Sequence, residues 1–266
     1  MCIRDRPEAQ LRQHETAAAR LFLEHNPVAN IGGAHDVRAA AERAARAATL
    51  LPTELIQIRS TMLAARALKR CILSTDEQFK PLSSHAKQLH DLPELEQTIG
   101  RTLDERGEVL DAASARLAEI RRDINETHKR LLQKLERLIH NPRNAEFLQD
   151  TLITQRSDRY VVPLKANFKG RIQGFVHDQA ASGATLFIEP LATLDLNNLW
   201  RQLQLAEREE IDRLLRELSQ HVGAKADKIT RIVEALATLD LAFACARYAV
   251  ALNATEPELL QATTAT

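Results

Sequence analysis

Glycine and aromatic residues are scarce in this chain of 266 residues, which has 8 glycines and only 4% aromatic side chains. Few glycines leave few sites for tight turns, and few aromatics leave little bulk for a large sheet core, so the composition favours long helices. The sequence also lacks an apolar run of about 18 residues, which a membrane-spanning helix needs, and a secretory signal segment. We therefore expect no membrane partner and a cytoplasmic location.

Cysteine and net charge are the next two deficits. The three cysteines, Cys2, Cys71 and Cys245, are odd in number and widely spaced, which argues against a disulfide framework and for a reducing compartment. Lys+Arg and Asp+Glu are both 36, so the formal net charge is zero. No global field would draw such a protein to nucleic acid, and any attraction of that kind must be local.

Apolar residues recur at helical spacing on either side of the centre of the chain. In "PTELIQIRSTMLAARALKRCI" the stripe comprises Leu55, Ile58, Met62, Ala65, Leu68 and Ile72. In "DKITRIVEALATLDLAFACARYA" it comprises Ile229, Ile232, Leu236, Leu239 and Phe243. Both stripes predict helix faces that are buried in a core.

The centre of the chain contains two long runs without glycine or proline, at 108–141 and 191–222. In the first run, apolar residues recur every seven positions, as one seam of a coiled coil requires: Leu110, Leu117, Ile124, Leu131 and Leu138. The second run would span about 48 Å as a helix. We predict an antiparallel arm in which residues 109–140 pack against 191–222, with the seam facing a stripe of Leu203, Ile211, Leu214 and Leu218.

The segment between the two runs has the character of a small β-sheet. "RYVVPLKA" (159–166), "IQGFVHD" (172–178) and "ATLFIEP" (184–190) are rich in strand-forming residues, and "QAASG" between the last two is typical of a hairpin loop. Six of the ten aromatic residues lie in or near this segment: Phe147, Tyr160, Phe168, Phe175, Phe187 and Trp200. We predict a compact β-containing tip at about 157–190.

Chemically active residue types also gather in the hairpin. His177, Asp178, Ser182 and Glu189 suggest a small hydrolase, and a G-x-x-H-D pattern at 32–36 and 174–178 suggests metal chemistry. However, a catalytic serine needs a base and an oxyanion hole, and Ser182 precedes its glycine with no helix after it. The first pattern is explained by a glycine turn with Asp36 capping a helix. We interpret the segment as a hairpin with no catalytic or metal-binding residue, and keep the hydrolase as the last alternative.

Positive charge is concentrated at the predicted tip. Residues 156–173 contain five cations and one acid, Asp158, a net of five minus one, or +4. Phosphate contacts would explain this excess, and so would a solvated sheet edge whose lysines discourage strand pairing. For the first alternative, the candidate nucleic-acid-binding residues are Arg159, Lys165, Lys169 and Arg171.

The stretch "RYVVPLKANFKGRIQGFVHDQAASGATLFIEPLATLDLNN" resembles a segment of the bacterial MutS type-two proteins, and the resemblance extends over residues 7–256. It implies a mainly α fold, with MutS-type core or lever helices and a long helical arm that carries a small β-hairpin clamp. The expected parts are a non-native leader at 1–6, core at 7–108, arm at 109–222, a return helix at 223–256, and a truncated linker towards an ATPase domain at 257–266.

The resemblance also implies a function for the longer protein. Its relatives are homodimeric ATPases that use ATP and Mg, bind branched or mismatched DNA or ribosomes, suppress recombination, and carry an endonuclease domain. This chain has no G-x-x-x-x-G-K-[ST] phosphate loop, since "ASGAT" lacks the lysine. We therefore expect no cofactor and no enzymatic activity in the chain itself. The alternative is a structural or dimerisation lever that contacts a protein or ribosomal partner without binding nucleic acid directly.

Overall fold

A computed structural model describes residues 6–27, 29–74 and 79–258. All but Arg6 of the expected leader, and residues 259–266 of the expected linker, lie outside the described residues. The α-helices of the described part are α1 (Arg6–His25), α2 (Arg38–Ala45), α3 (Pro52–Leu73), α4 (Lys80–Ala86), α5 (Pro93–Thr102), α6 (Ala115–Ile139), α7 (Leu194–Gly223) and α8 (Ala226–Ala251). The strands are β1 (Thr154–Arg156), β2 (Arg159–Lys165), β3 (Gly174–Gln179) and β4 (Thr185–Pro190).

The chain divides into two compact units. The first, which we call the helical unit, comprises residues 1–110 and 214–266, and the second, the mixed unit, comprises residues 111–213. The described strands all lie in the mixed unit, and its remaining elements are mostly helical. The prediction of a mainly α chain with a small β-sheet is therefore confirmed. The finer domain boundaries stay predictions.

The core of the helical unit is built from the apolar stripes that the sequence indicates. Every member of the stripes on α3 and α8 is buried. Two further aromatic rings join them: Phe22 stacks on Phe243 of the α8 stripe at 5.7 Å between centroids, and meets Phe79 edge-on, also at 5.7 Å. The periodicity therefore predicts both helices and the faces that they bury.

The sheet of the mixed unit is antiparallel, with strand order β1-β2-β4-β3. Val162 pairs with Ile188 and Leu164 with Leu186. On this face the sheet forms one core with the end of α6, made of Leu131, Leu135, Ile139, Leu148, Val162, Leu164, Leu186 and Ile188. The predicted hairpin joins β3 to β4, and Gly183 has a φ of +72° in its loop, a conformation that glycine adopts without strain.

Helices α6 and α7 run antiparallel in the mixed unit. Arg121 Nε lies 2.7 Å from a carboxylate oxygen of Glu207, and the ring of His128 stacks on Trp200 at 5.5 Å. Residue numbers therefore rise along α6 while those of the partners fall along α7.

The predicted heptad seam is wrong in part. Leu117 and Leu131 are fully buried, but Ile124 and Leu138 are only half-buried, and Leu110 is exposed and precedes α6. The residues buried along α6 are Leu117, Ile120, Thr127, Leu131, Leu135 and Ile139. A straight α-helix has about 3.6 residues per turn, so the face that it buries drifts away from a strict seven-residue repeat. The second half of α6 also packs on the sheet. Of the predicted partner stripe, Leu214 and Leu218 are buried within the helical unit instead.

No helix in the described part of the chain has both the length and the apolar character that crossing a bilayer demands.

Candidate nucleic-acid interface

A buried carboxylate, Glu189, organises the sheet of the mixed unit. Its side chain is 1% exposed, and Arg159 Nη1 donates to its two oxygens at 2.8 and 3.1 Å. His177 Nε2 lies 2.6 Å from Oε2 of the same group. Arg159 Nη2 also donates to Asn198 Oδ1 at 2.8 Å. A buried charge needs partners of this kind, because desolvation without them is costly.

The local backbone brings His177 to this carboxylate. Val176 pairs with Ile188 and Asp178 with the preceding residue of β4, Phe187, so His177 is the extra residue of a β-bulge. Gly174 allows the two strands to approach closely, because a Cβ there would lie 2.3 Å from the carbonyl oxygen of Glu189. Bulges commonly redirect a side chain in this way.

A second set of bonds ties the start of β2 to the two helices. Asn197 is fully buried; its Nδ2 donates to the Tyr160 carbonyl and its Oδ1 accepts from the Tyr160 N–H, both at 3.1 Å. The Tyr160 hydroxyl lies 2.7 Å from His128 Nε2, and both rings contact Trp200. The predicted aromatic clustering is therefore partly a structural core.

The residues of the hydrolase alternative are not assembled for catalysis. His177 is bound to Glu189, Asp178 pairs with Arg156 at 3.2 Å, and Ser182 Oγ accepts from the Ala184 N–H at 3.4 Å. No hydrogen bond joins Ser182 to His177 among the described residues. Across the described part of the chain there is no group of three or more His, Cys, Asp or Glu side chains that could hold a metal ion.

The other G-x-x-H-D pattern is also structural. Asp36 Oδ2 lies 2.6 Å from the Arg38 guanidinium, whose hydrogen bond lowers the pKa of Asp36 to about 2. Asp36 Oδ1 also accepts from the Arg38 backbone N–H at 3.3 Å. The predicted capping role needs a small correction, because the N-cap position of α2 is Val37 and Asp36 stands one residue before it.

The five cations of the tip fall into two groups. Arg156 and Arg159 are paired with carboxylates, those of Asp178 and Glu189. In the described part of the chain, the other three make no ion pair: Lys165, Lys169 and Arg171. The predicted set therefore contains one residue, Arg159, that is engaged inside the protein, and three whose charge is not neutralised by a carboxylate.

Two of these three cations meet a pair of aromatic rings, which we call the basic aromatic cluster: Phe147, Lys165, Phe168 and Arg171. The two rings lie 5.2 Å apart between centroids. Lys165 Nζ is 6.0 Å from the Phe168 centroid and donates to the Glu146 carbonyl at 2.9 Å. The Arg171 guanidinium carbon is 5.9 Å from the Phe147 centroid. Both contacts fit cation–π geometry.

Strand alternation does not govern Lys169 and Arg171. A short 3-10 helix covers Ala166–Phe168, and the chain re-enters the sheet only at Gly174, so both cations lie in a loop. Strand geometry therefore does not place the two side chains on a common face. Phe147 and Phe168 are not among the predicted site residues, although the clustering of aromatics near the cations is the sequence signal that points to them.

No family model matches the chain. It is similar to proteins named endonuclease MutS2: that of Thermomicrobium roseum is 41% identical over 260 residues, 97% of this chain and 33% of the relative. That of a Geobacillus species is 44% identical over 246 residues, 91% of this chain and 31% of the relative. That of Geobacillus thermodenitrificans is 40% identical over 256 residues, which are 95% of this chain and 33% of the relative. The chain thus spans about a third of the length of these relatives.

Proposed function

The chain belongs to the MutS2 family over the third of its relatives' length that it spans, and on that premise we propose that its mixed unit contacts the sugar–phosphate backbone of nucleic acid. The carrying observation is that Lys165, Lys169 and Arg171 form no ion pair in the described part of the chain, although the whole chain has zero net charge. Cations that no carboxylate neutralises can bind phosphates, and each such contact releases counterions from the nucleic acid.

The basic aromatic cluster supports the proposal in a second way. Cations beside exposed or half-buried rings are the combination with which proteins bind nucleic acid without reading its sequence. In this cluster Arg171 is exposed and Phe147, Lys165 and Phe168 are half-buried. Arg159 takes no part in the proposed contact, because its guanidinium is held by Glu189 and Asn198. We therefore restrict the contact residues to Lys165, Lys169 and Arg171.

We extend the proposal to the whole protein as the family resemblance implies. It would act as a homodimer that uses ATP and Mg to bind branched or mismatched DNA, ribosomes, or both, and that restrains recombination. The endonuclease activity that the relatives' name gives, and the ATP site that the resemblance implies, would reside outside this chain, which has no phosphate-loop motif. The described segment would contribute the core or lever helices and the clamp.

A salt titration tests the backbone contact. We expect the chain to bind a duplex with a dissociation constant of about 10⁻⁴–10⁻⁶ M at physiological salt. Replacing Lys165, Lys169 and Arg171 together by alanine should weaken binding on every sequence and lower the log–log salt slope by about one unit per cation. Equal binding by the variant, or binding that ignores salt, would contradict the proposal.

The matched control removes the same charge elsewhere. Lys87, Lys225 and Lys228 are exposed cations of the helical unit, and their triple alanine variant should keep the salt slope of the wild type. A control variant that loses as much affinity as the test variant would show that net charge alone, and not the tip, governs binding.

A specific observation favours the alternative of a protein-contacting lever. Leu241 and Tyr248 on α8 are 53% and 67% exposed, and Leu252, the residue that caps the C-terminus of α8, is 59% exposed. Their spacings of seven and four place them on one side of the helix. Exposed apolar faces mark contacts with other proteins. Sedimentation of the wild type and of Tyr248→Glu tests this face. An oligomer of the wild type that the substitution converts to monomers supports the alternative, whereas monomers of both proteins exclude self-association through this face.

A further inference from the structure

A pocket of about 300 Å³ lies in the mixed unit beside the loop 169–173, which contains Lys169 and Arg171. Its apolar residues are Leu164, Ile172, Val176 and Ile188, and Lys169 and Gln173 lie among its polar ones. Leu164 and Ile188 are only 1% and 2% exposed, so they belong to the sheet core, whereas Val176 is 44% exposed. The pocket thus has an apolar interior that opens to solvent at the edge of the sheet.

The pocket results from the way in which the loop rejoins the sheet. Val176 pairs with Ile188 on β4, but β3 is the edge strand and has no further neighbour in the sheet. Gly170 turns the loop with a φ of +88°, and a Cβ at that position would meet no atom within 4 Å. Apolar surface at a sheet edge is normally covered or blunted by charge. Here it is left open next to a cation, Lys169.

We propose that this pocket receives an unpaired nucleobase, an inference that rests on the proposed backbone contact. A base has apolar faces and a polar edge, and proteins hold extruded bases by packing those faces on apolar or aromatic side chains. Leu164, Val176 and Ile188 supply the packing surface, and the Gln173 amide can both donate to and accept from a base edge.

Charge complementarity identifies a nucleic acid as the source of the occupant. Lys169 lines the pocket, Arg171 follows two residues later in the same loop, and neither forms an ion pair in the described part of the chain. An apolar peptide would gain nothing from these cations, whereas a base enters with a phosphate attached on either side. The pocket therefore gives the tip a preference for strands with unpaired bases over continuous duplex, with little preference among sequences.

An abasic oligonucleotide separates the pocket from the backbone contact. The probes are a thymidine oligonucleotide and its abasic counterpart with the same number of phosphates, with a uridine oligonucleotide as the RNA arm. We expect the wild type to bind the thymidine strand about fivefold more tightly than the abasic strand, the lower end of what packing a base contributes. If the uridine strand binds as tightly as the thymidine strand, the pocket accepts a base from either DNA or RNA. If only one of the two binds more tightly than the abasic strand, that polymer is the source of the base.

Two variants complete the experiment. Val176→Trp fills the pocket and should abolish the preference without weakening binding to the abasic strand, while Gln179→Trp, at an exposed position on the same strand outside the pocket, should keep it. Should Val176→Trp fail to fold, as circular dichroism would show, Gln173→Ala replaces it and should lower the preference at least about twofold.

The failures of the two proposals are distinguishable. A wild type that binds both strands equally overturns the base pocket and leaves the backbone contact standing. Absence of any salt-dependent binding overturns both. A preference that survives in folded Val176→Trp, or in Gln173→Ala where that variant replaces it, overturns the assignment of the base to this pocket.

Discussion

The helical unit and the mixed unit hold their elements together in different ways. In the helical unit, aliphatic and aromatic side chains from several helices form one core, with Phe22, Phe79 and Phe243 among its largest members. The mixed unit has an aliphatic core too, and it buries two carboxylates, those of Glu189 and Glu210, where the described part of the helical unit buries one, that of Glu15. The difference teaches that the helical unit is specified mainly by apolar periodicity, whereas the mixed unit depends more heavily on directional polar contacts.

This difference bears on function. Hydrogen bonds and ion pairs fix orientation more narrowly than apolar packing does, and a binding surface needs supporting groups that are held in place. Glu189 engages Arg159 and His177, which places β2, β3 and β4 in register around one carboxylate. The cations proposed to bind phosphate, Lys165, Lys169 and Arg171, are not among the partners that Glu189 binds. The following substitutions test that contrast, from the largest expected effect to the smallest.

Removing the central carboxylate should have the largest effect. Glu189→Ala leaves the Arg159 guanidinium without its partner in a largely buried site, and breaking a buried pair in this way costs about 3–5 kcal/mol. Urea unfolding of the wild type and the variant measures the loss. A cost below about 1 kcal/mol would show that water reaches the site and that the network does not specify the sheet.

Truncating the apolar core of the mixed unit should cost nearly as much. Leu131 is fully buried against the sheet, so Leu131→Ala should lower the free energy of unfolding by about 2–5 kcal/mol. The matched control is Leu138→Ala on the same helix, where the side chain is half-buried and the cost should be smaller. Equal costs at the two positions would restore the heptad seam that the burial pattern contradicts.

The second buried carboxylate predicts a pH dependence. A hydrogen bond from Arg213 lowers the pKa of Glu210 from 4.5 to about 2 against the effect of burial, with further help from Ser114 and the charge of Arg116. Because the pKa is lower in the folded state, this stabilisation is complete above about pH 5 and disappears as the pH falls towards 2.

Glu210→Gln should therefore flatten the acid side of the stability profile. We expect the variant to lose about 1–3 kcal/mol at pH 7, as is usual for hydrogen bonds to a charged group, and to fall less steeply than the wild type between pH 5 and pH 2. Chemical denaturation at a series of pH values measures both. Parallel curves for the two proteins would show that Glu210 is not the group that titrates.

The two units also differ in how far the sequence predicts them. Ile58, Leu68 and Ile232 repeat at the period of the helix on which they lie, and their burial follows from local spacing alone. The hairpin loop is predictable for the same reason, since its turn residues are adjacent in the chain. Family resemblance added the third of the relatives' length to which these elements correspond.

The polar network could not be derived from spacing. Arg159, His177 and Glu189 meet only because two strand pairings and a bulge bring them together, and no local pattern encodes which cation a carboxylate will choose. Composition identified the excess of charge at the tip but not its division between paired and unpaired cations. The heptad of α6 misled for a related reason: its second half packs on a sheet, which imposes no repeat of seven residues.

The smallest effect is expected at the exposed ion pair next to the buried one. Asp178 pairs with Arg156 at 3.2 Å, and the two side chains are 49% and 42% exposed. Solvent screens such a pair, so Asp178→Asn should change the free energy of unfolding by less than about 1 kcal/mol. Arg156 keeps its position over the Phe187 ring, 4.5 Å from the centroid. The variant thus frees a cation without disturbing the fold, and its salt slope for nucleic acid should be at least as steep as that of the wild type. A large destabilisation would mean that Asp178 supports the bulge at His177. The sheet would then depend on an exposed ion pair of β3 as well as on the buried network around Glu189.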